Sequence, residues 1–120
     1  MTKYAILGGL IAGVILIGSG ARVTVAQDAS PPPDFSEAYL SDPLNLEIGK
    51  EIWVEQCALC HGARAYPGKA PRLKPKRYTA DFVYRRVTKG FRAMPGWEHI
   101  YDLDERMAVA AYVMDKSFSP

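Results

Sequence analysis

Five consecutive residues near the middle of the chain, Cys57-Ala58-Leu59-Cys60-His61, combine two thiols with an adjacent imidazole. The Cys-x-x-Cys-His spacing is that of a c-type haem attachment site. The two thiols can add to the two vinyl groups of one porphyrin, and the imidazole can then ligate the iron. Cys57 and Cys60 are therefore predicted to attach one haem c covalently, with His61 as an axial ligand.

Other kinds of site share part of this pattern. A redox-active dithiol normally lies at the start of a helix within a βαβ pattern, which this sequence lacks. A zinc site would have only these two cysteines, His61 and His99 as its ligands, at an unfamiliar spacing. A plain structural disulfide is a third alternative. The histidine directly after the second cysteine, together with the signs of export, favours haem attachment.

The first 26 residues have the features of an export signal. Lys3 gives a short positive start, residues 5–20 form an uncharged run, and Thr24-Val25-Ala26 offers small residues for cleavage. Residues 4–21 are also just long enough to span a bilayer, so an uncleaved membrane anchor is an equal alternative. Either segment places the cysteines on the periplasmic side of a bacterial inner membrane, where covalent haem attachment takes place.

Composition divides the rest of the chain. Residues 27–41 contain three consecutive prolines and few apolar side chains, which predicts an extended linker. Residues 42–120 are enough for one small domain, in which a bound prosthetic group would help to form a limited core. We therefore predict a signal peptide or membrane anchor over 1–26, a linker over 27–41 and a haem domain over 42–120.

Residues 42–120 show helical spacing of apolar residues between turn-rich loops, and no sustained alternation of the kind that predicts a strand. A first helix starts near Asp42-Pro43 and runs into the cysteines. A middle helix is capped by Thr79 and ends at Gly90, and the last helix opens on the capping box Asp102-x-x-Glu105. The predicted fold class is all-α, with three to four helices around one haem.

The order of these parts resembles that of a class I mono-haem cytochrome c, over nearly everything after Ser41. A helix with Gly49 and Trp53 precedes the haem motif, and a proline-rich loop, a methionine loop and an alanine-rich last helix follow it. In that family the first and last helices cross closely, with a glycine of one admitting an aromatic residue of the other. Gly49 and Tyr112 match those positions. The resemblance implies the small cytochrome c fold and single-electron transfer.

The second axial ligand must come from outside the motif. Met94 lies in a predicted loop 33 residues after His61, and the resemblance points to it because family members carry their methionine ligand in such a loop. His99 would give a bis-histidine haem instead, while Met107 and Met114 lie on the predicted last helix, where methionine more often fills a core. An open sixth position would indicate peroxidase or gas-sensing chemistry. The predicted ligands are His61 and Met94, a pair that raises the reduction potential and shields the iron.

Three further residues are predicted near the haem. In relatives, the carbonyl of a proline after the motif accepts a hydrogen bond from Nδ1 of the axial histidine and fixes the ring. Pro71 matches that proline, with Pro67 and Pro75 as alternatives. Tyr78 and Trp97 are predicted either to donate hydrogen bonds to the haem propionates or to form aromatic walls of the pocket.

Charge is distributed unevenly along the chain. Residues 62–92 carry ten basic residues and a single acidic one, Asp81, whereas the segments on either side are acidic. Such a basic block is either a solvated face that also pairs with the propionates, or a docking surface that steers an acidic redox partner. Nucleic acid is not an expected partner of an exported haem protein.

No pattern in the sequence predicts an enzyme. We find no acid and base placed beside a nucleophile and no glycine-rich phosphate loop, so no small-molecule substrate is predicted. The sequence therefore predicts an electron-transfer protein that shuttles single electrons between larger redox proteins. The alternative is a fixed haem c subunit that relays electrons within a membrane respiratory or photosynthetic complex or a periplasmic dehydrogenase.

Overall fold

The structure is a computed structural model that describes residues 33–118. The predicted signal peptide or membrane anchor, including residues 4–21, and the first part of the predicted linker lie outside the described residues. Within the described range the chain is helical, which confirms the all-α prediction, and its only β-type pairing is an isolated bridge. The helices are α1 Glu37–Ser41, α2 Pro43–Ile52, α3 Ala58–His61, α4 Ala80–Lys89 and α5 Leu103–Met114, with a π-helical turn at Trp53–Cys57 and a 3-10 turn at Pro75–Arg77.

The helices α4 and α5 begin at the caps that the sequence predicts. Thr79 Oγ1 accepts a hydrogen bond from the Phe82 N–H at 3.2 Å. Asp102 Oδ1 accepts from the Glu105 N–H at 2.9 Å, and Glu105 Oε2 accepts from the Asp102 N–H at 2.8 Å. These bonds satisfy amide groups that a first helical turn leaves without partners. The predicted end of α4 is also confirmed, because Gly90 follows it with a φ of 74°.

The helices α2 and α5 pack backbone against backbone at Gly49. A Cβ atom added to Gly49 would lie 2.0 Å from the Ala108 carbonyl oxygen and 2.9 Å from the Tyr112 Cβ. Only glycine therefore fits at this position. The close crossing expected from Gly49 and Tyr112 is confirmed, and it fixes the end of α2 from which the haem motif continues.

The hydrophobic core lies between α2, α4 and α5 and extends to both the haem motif and the last described residue. Phe118 is 0% exposed, and its ring meets the Trp53 ring edge to face with 4.7 Å between centroids. Among residues 33–118 no helix is long and apolar enough to cross a membrane. The buried members of this core cluster are Ile52, Trp53, Ala65, Val83, Val87, Val109, Ala110, Val113 and Phe118.

The described part of the predicted linker differs from an extended chain. The Phe35 ring lies 5.9 Å from the Tyr84 ring and 6.2 Å from the Tyr39 ring. The Tyr39 hydroxyl donates a hydrogen bond to the Asp104 carbonyl oxygen at 3.3 Å. Two aromatic side chains with surface to bury on α4 and α5 thus draw residues 35–41 onto the domain, although the prolines before them predict an extended chain.

Candidate haem-binding site

The haem motif lies where α2 continues through the π-helical turn into α3. Cys57 ends the π-helical turn, and the Ala58 N–H donates to the Trp53 carbonyl oxygen. Cys57 is half-buried and packs against the core cluster, whereas Cys60 is exposed. Both thiols are free, and one helical path carries the two cysteines and His61.

The surroundings of Cys57 argue against the other sites that share its spacing. Burial raises the pKa of the Cys57 thiol to about 11, and Cys60 adds to the shift. Redox-active dithiols instead have a cysteine whose pKa is lowered, so this environment does not suit that chemistry. The two cysteines form no disulfide, and residues 33–118 contain no cluster of three or more His, Cys, Asp or Glu side chains that could hold a zinc ion.

The His61 imidazole is half-buried beside the Trp53 ring, with 5.6 Å between centroids and 35° between planes. Burial lowers the pKa of His61, which favours the neutral ring. Its Nδ1 atom is buried and has no hydrogen-bond partner within the described residues. A neutral imidazole is the form that ligates iron, so this histidine fits the haem that the motif predicts.

The hydrogen bond predicted between His61 Nδ1 and the Pro71 carbonyl is not formed, and neither Pro67 nor Pro75 replaces it. Backbone bonds on both sides of Pro71 hold this loop in place. The Ala70 N–H donates to the Cys60 carbonyl oxygen at 2.8 Å, and the next bond along the loop, at 3.3 Å, joins Leu73 to Ala65. Pro71 itself is exposed.

The same loop packs tightly on the haem motif through two glycines. A Cβ on Gly68 would lie 2.2 Å from the Cys60 carbonyl oxygen. Gly62 adopts a left-handed conformation with a φ of 85°, and a Cβ there would lie 2.1 Å from the Pro67 carbonyl oxygen. The backbone after His61 is therefore fixed by contacts that no other residue type allows.

Met94 lies in a short, well-anchored loop between α4 and α5. Its N–H and carbonyl pair with the carbonyl and N–H of Phe91 at 3.0 and 2.9 Å. Farther along the loop, the Trp97 N–H donates to the Val87 carbonyl oxygen at 2.9 Å. At the start of the loop, Gly90 packs against Met94, since a Cβ on Gly90 would lie 2.5 Å from the Met94 carbonyl oxygen. The loop therefore presents the Met94 side chain, which packs half-buried against the core cluster, from a fixed backbone.

The remaining candidates divide into buried and exposed residues. Tyr78 and Trp97 are half-buried and pack against the same core cluster as Cys57 and Met94. The His99 side chain is 90% exposed, so it does not suit a buried iron ligand. The structure thus brings thiol, thioether and aromatic side chains to one apolar cluster, with the His61 imidazole beside it, and this set of donors fits a haem.

Two residues contribute to this site in ways that the sequence analysis missed. The Trp53 ring contacts His61, and its indole N–H bonds the Gly62 and Ala63 carbonyl oxygens; Phe118 meets the same ring edge to face. The sequence contains a signal for Trp53, because a residue four positions before Cys57 lies on the same face of a helix as Cys57. Phe118 follows the last helix, where no periodic pattern could point to it.

Comparisons with known proteins agree with this geometry. A family model described as "Cytochrome C oxidase, cbb3-type, subunit III" matches residues 44–113. Cytochrome c6 of Tetradesmus obliquus is 30% identical over 82 residues, which cover 61% of this chain and 92% of the relative. Cytochrome c6 of Chlorolobion braunii is 28% identical over 82 residues, which again cover 61% of this chain and 92% of the relative.

Two solved structures share the fold at low sequence identity. The c-type cytochrome NirC matches with a TM-score of 0.53 at 20% identity, over 66% of this chain and 99% of its own. Cytochrome CL from the marine methylotrophic bacterium Methylophaga aminisulfidivorans MPT matches with a TM-score of 0.56 at 19% identity, over 72% of this chain and 69% of its own. With the Cys57-x-x-Cys60-His61 motif on its helix, the chain belongs to the cytochrome c family of the cbb3-type subunit III model, and it is a class I mono-haem cytochrome with one covalently bound haem c.

Proposed function

We propose that this cytochrome carries single electrons between larger redox proteins on the periplasmic side, with His61 and Met94 as the two iron ligands. The observation that carries the proposal is the position of Met94. Its side chain packs against the same apolar cluster as Cys57, and its loop is bonded to Phe91 and to α4. A ligand held on a fixed backbone changes little in position when the iron changes oxidation state, which suits an electron carrier.

Each residue of the site has a separate task in this proposal. Cys57 and Cys60 hold the cofactor covalently, His61 offers a neutral ring nitrogen, and Met94 offers a thioether sulfur. The bound haem c supplies one-electron chemistry between ferrous and ferric iron. With His61 and Met94 both bound to the iron, substrates and gases would be kept from it, and catalysis is not part of the proposed function.

Replacement of Met94 by leucine tests the second ligand. Leucine keeps the volume of the side chain and removes the sulfur, so the cost in core packing stays below about 1.5 kcal/mol. We expect loss of the charge-transfer band of the iron–sulfur bond in the ferric protein, and rapid binding of carbon monoxide by the reduced protein. Met107→Leu and Met114→Leu are matched controls that should keep the band. A band that survives Met94→Leu and disappears in either control would refute the assignment.

We further propose that the basic block of residues 62–92 docks an acidic redox partner. Within residues 33–118, Arg85 pairs with Asp81 and Lys89 with Glu98, and the other eight basic side chains of the block have no acidic partner within 4.0 Å. A surface of uncompensated positive charge attracts an anionic partner and raises the association rate.

Charge reversal at two exposed lysines tests this docking surface. Lys74→Glu with Lys76→Glu should slow reduction of the ferric protein by the hexacyanoferrate(II) anion at about 0.01 M salt, where charges act over about 30 Å. The difference should disappear near 1 M salt, where they act over about 3 Å. Lys50→Glu with Lys116→Glu changes the net charge equally outside the block and serves as the control. Equal slowing by both pairs, or by neither, would remove the steering proposal.

The description of the matching family favours a second candidate, a fixed haem subunit of a membrane complex, since it names a subunit of an oxidase. An intact mass of the native protein shows whether residues 1–26 are cleaved or retained as an anchor. A retained segment together with co-purifying subunits supports the relay. A cleaved monomer that purifies alone supports the mobile carrier.

A further inference from the structure

Trp53 joins the haem motif to the backbone that follows it. Its indole Nε1–H donates to the Gly62 carbonyl oxygen at 3.2 Å and to the Ala63 carbonyl oxygen at 3.0 Å. These carbonyls belong to the two residues directly after His61. Trp53 is 3% exposed, and its bond to the Gly62 carbonyl oxygen is buried from water.

The Trp53 ring is itself fixed from a second direction. The fully buried Phe118 meets it edge to face with 4.7 Å between centroids and 87° between planes. The Tyr112 ring lies 6.4 Å away. The His61 imidazole therefore packs against a ring that aromatic neighbours and two backbone acceptors hold in one orientation.

The backbone of Trp53 bonds to the motif as well. Its carbonyl accepts the Ala58 N–H and closes the π-helical turn ahead of α3. Trp53 thus bonds the motif at two points. Its carbonyl bonds Ala58, before the second cysteine, and its indole N–H bonds Gly62 and Ala63, after His61. By contrast, the His61 Nδ1 atom has no hydrogen-bond partner among residues 33–118.

We propose that Trp53 is a positioning residue that fixes the plane of the His61 imidazole on the iron. The inference rests on ligation by His61, as proposed above, and goes beyond it by naming what orients the ligand. A phenylalanine at this position would fill similar space but would leave the Gly62 and Ala63 carbonyls without their donor. Trp53 differs from the other members of the core cluster in this respect, because its N–H bonds the segment that carries the ligand.

The hydrogen bond can be tested in the unaltered protein. The chain has two tryptophans, Trp53 and Trp97, so its nitrogen-15 spectrum contains two indole N–H signals. We expect the Trp53 signal to exchange with deuterated water at least about 100-fold more slowly than the Trp97 signal, because a buried bonded N–H exchanges only after local opening. Similar exchange rates of the two indoles would overturn the proposal without any variant having to fold.

Trp53→Phe in the haem-loaded protein tests the orientation. The hyperfine shifts of the haem methyl protons in the ferric state depend on the plane of the axial imidazole. We expect their order or spread to change in Trp53→Phe and to stay unchanged in Met107→Ala, a control that removes a buried side chain of α5 outside the core cluster without touching a donor. Wild-type methyl shifts in Trp53→Phe would show that Trp53 only fills the core, and would overturn the proposal. Hyperfine-shifted His61 ring protons in the wild type report ligation separately, so their absence would mark failure of the proposed function instead.

Discussion

Replacement of Gly49 by alanine probes the helix crossing on which the site depends. At an exposed helical position this change would stabilise the protein by about 1 kcal/mol, because alanine is the better helix former. At Gly49 the new methyl group would lie 2.0 Å from the Ala108 carbonyl oxygen, whereas ordinary contacts begin at 3.4 Å. The obstructing atom belongs to the backbone of α5 and cannot rotate away, so the helices must separate locally by about 1.4 Å, the difference between those two distances.

The size of the effect follows from opposing contributions. Overpacking of a close-packed interior costs about 1–3 kcal/mol, and contact with rigid backbone places Gly49→Ala at the upper end. After subtracting the gain of about 1 kcal/mol in helix propensity, we expect a net loss of about 2 kcal/mol. For a domain of this size the midpoint of thermal unfolding falls by about 4–8 °C per kcal/mol, which gives about 8–16 °C.

Thermal unfolding of the haem-loaded protein, followed by far-ultraviolet circular dichroism, measures this loss. Glu51→Ala is the control, because it places alanine at an exposed position of the same helix. The control should unfold within about 4 °C of the wild type. A Gly49→Ala midpoint equal to that of the control, or above the wild type, would refute the close crossing of α2 and α5.

Three other perturbations have expected outcomes that unfolding or titration measurements can check. Phe118→Ala should lower the free energy of unfolding by about 3–5 kcal/mol in denaturant titrations, since the ring is fully buried against the core; a loss below 1 kcal/mol would contradict its place there. Asp102→Ala should cost about 1 kcal/mol in the same assay through loss of the cap to Glu105, while Asp102→Asn, which keeps an acceptor, should cost less. Hydrogen bonds from Ser117 lower the pKa of Asp115 in the folded protein. They therefore stabilise the fold fully above the unfolded pKa of about 4, and this contribution disappears as the pH falls through the folded pKa. An Asp115 carboxyl resonance that titrates at its ordinary pKa in NMR spectra would refute this.

The parts of the fold that depend on local chemistry were predictable. Thr79 and the Asp102 capping box identify helix starts because a side-chain oxygen satisfies nearby amides, and Gly90 identifies a helix end because few residues adopt positive φ. The attachment motif is equally local, since two thiols and an imidazole must be adjacent to serve one cofactor. The resemblance to cytochromes c added Gly49 and Tyr112, which lie far apart in sequence.

The parts that depend on tertiary placement could not be predicted from the sequence. Phe118 follows the last helix, and only the packed position of α5 brings it onto Trp53. The hydrogen bond expected from His61 Nδ1 to Pro71 is not formed within residues 33–118, and no local pattern in the sequence sets the path of that loop. Met94 as a ligand remains a proposal, although its loop occupies the position that the resemblance implies.

The docking of Phe35 and Tyr39 on the domain changes the reach of any tether that precedes residue 33. An extended chain gains at most about 3.4 Å per residue, so fixing the seven residues 35–41 removes about 24 Å from the possible span. A shorter tether confines the domain to a smaller volume and raises its effective concentration near whatever its other end is attached to. Two aromatic side chains at the edge of the fold therefore shorten the reach of any such tether.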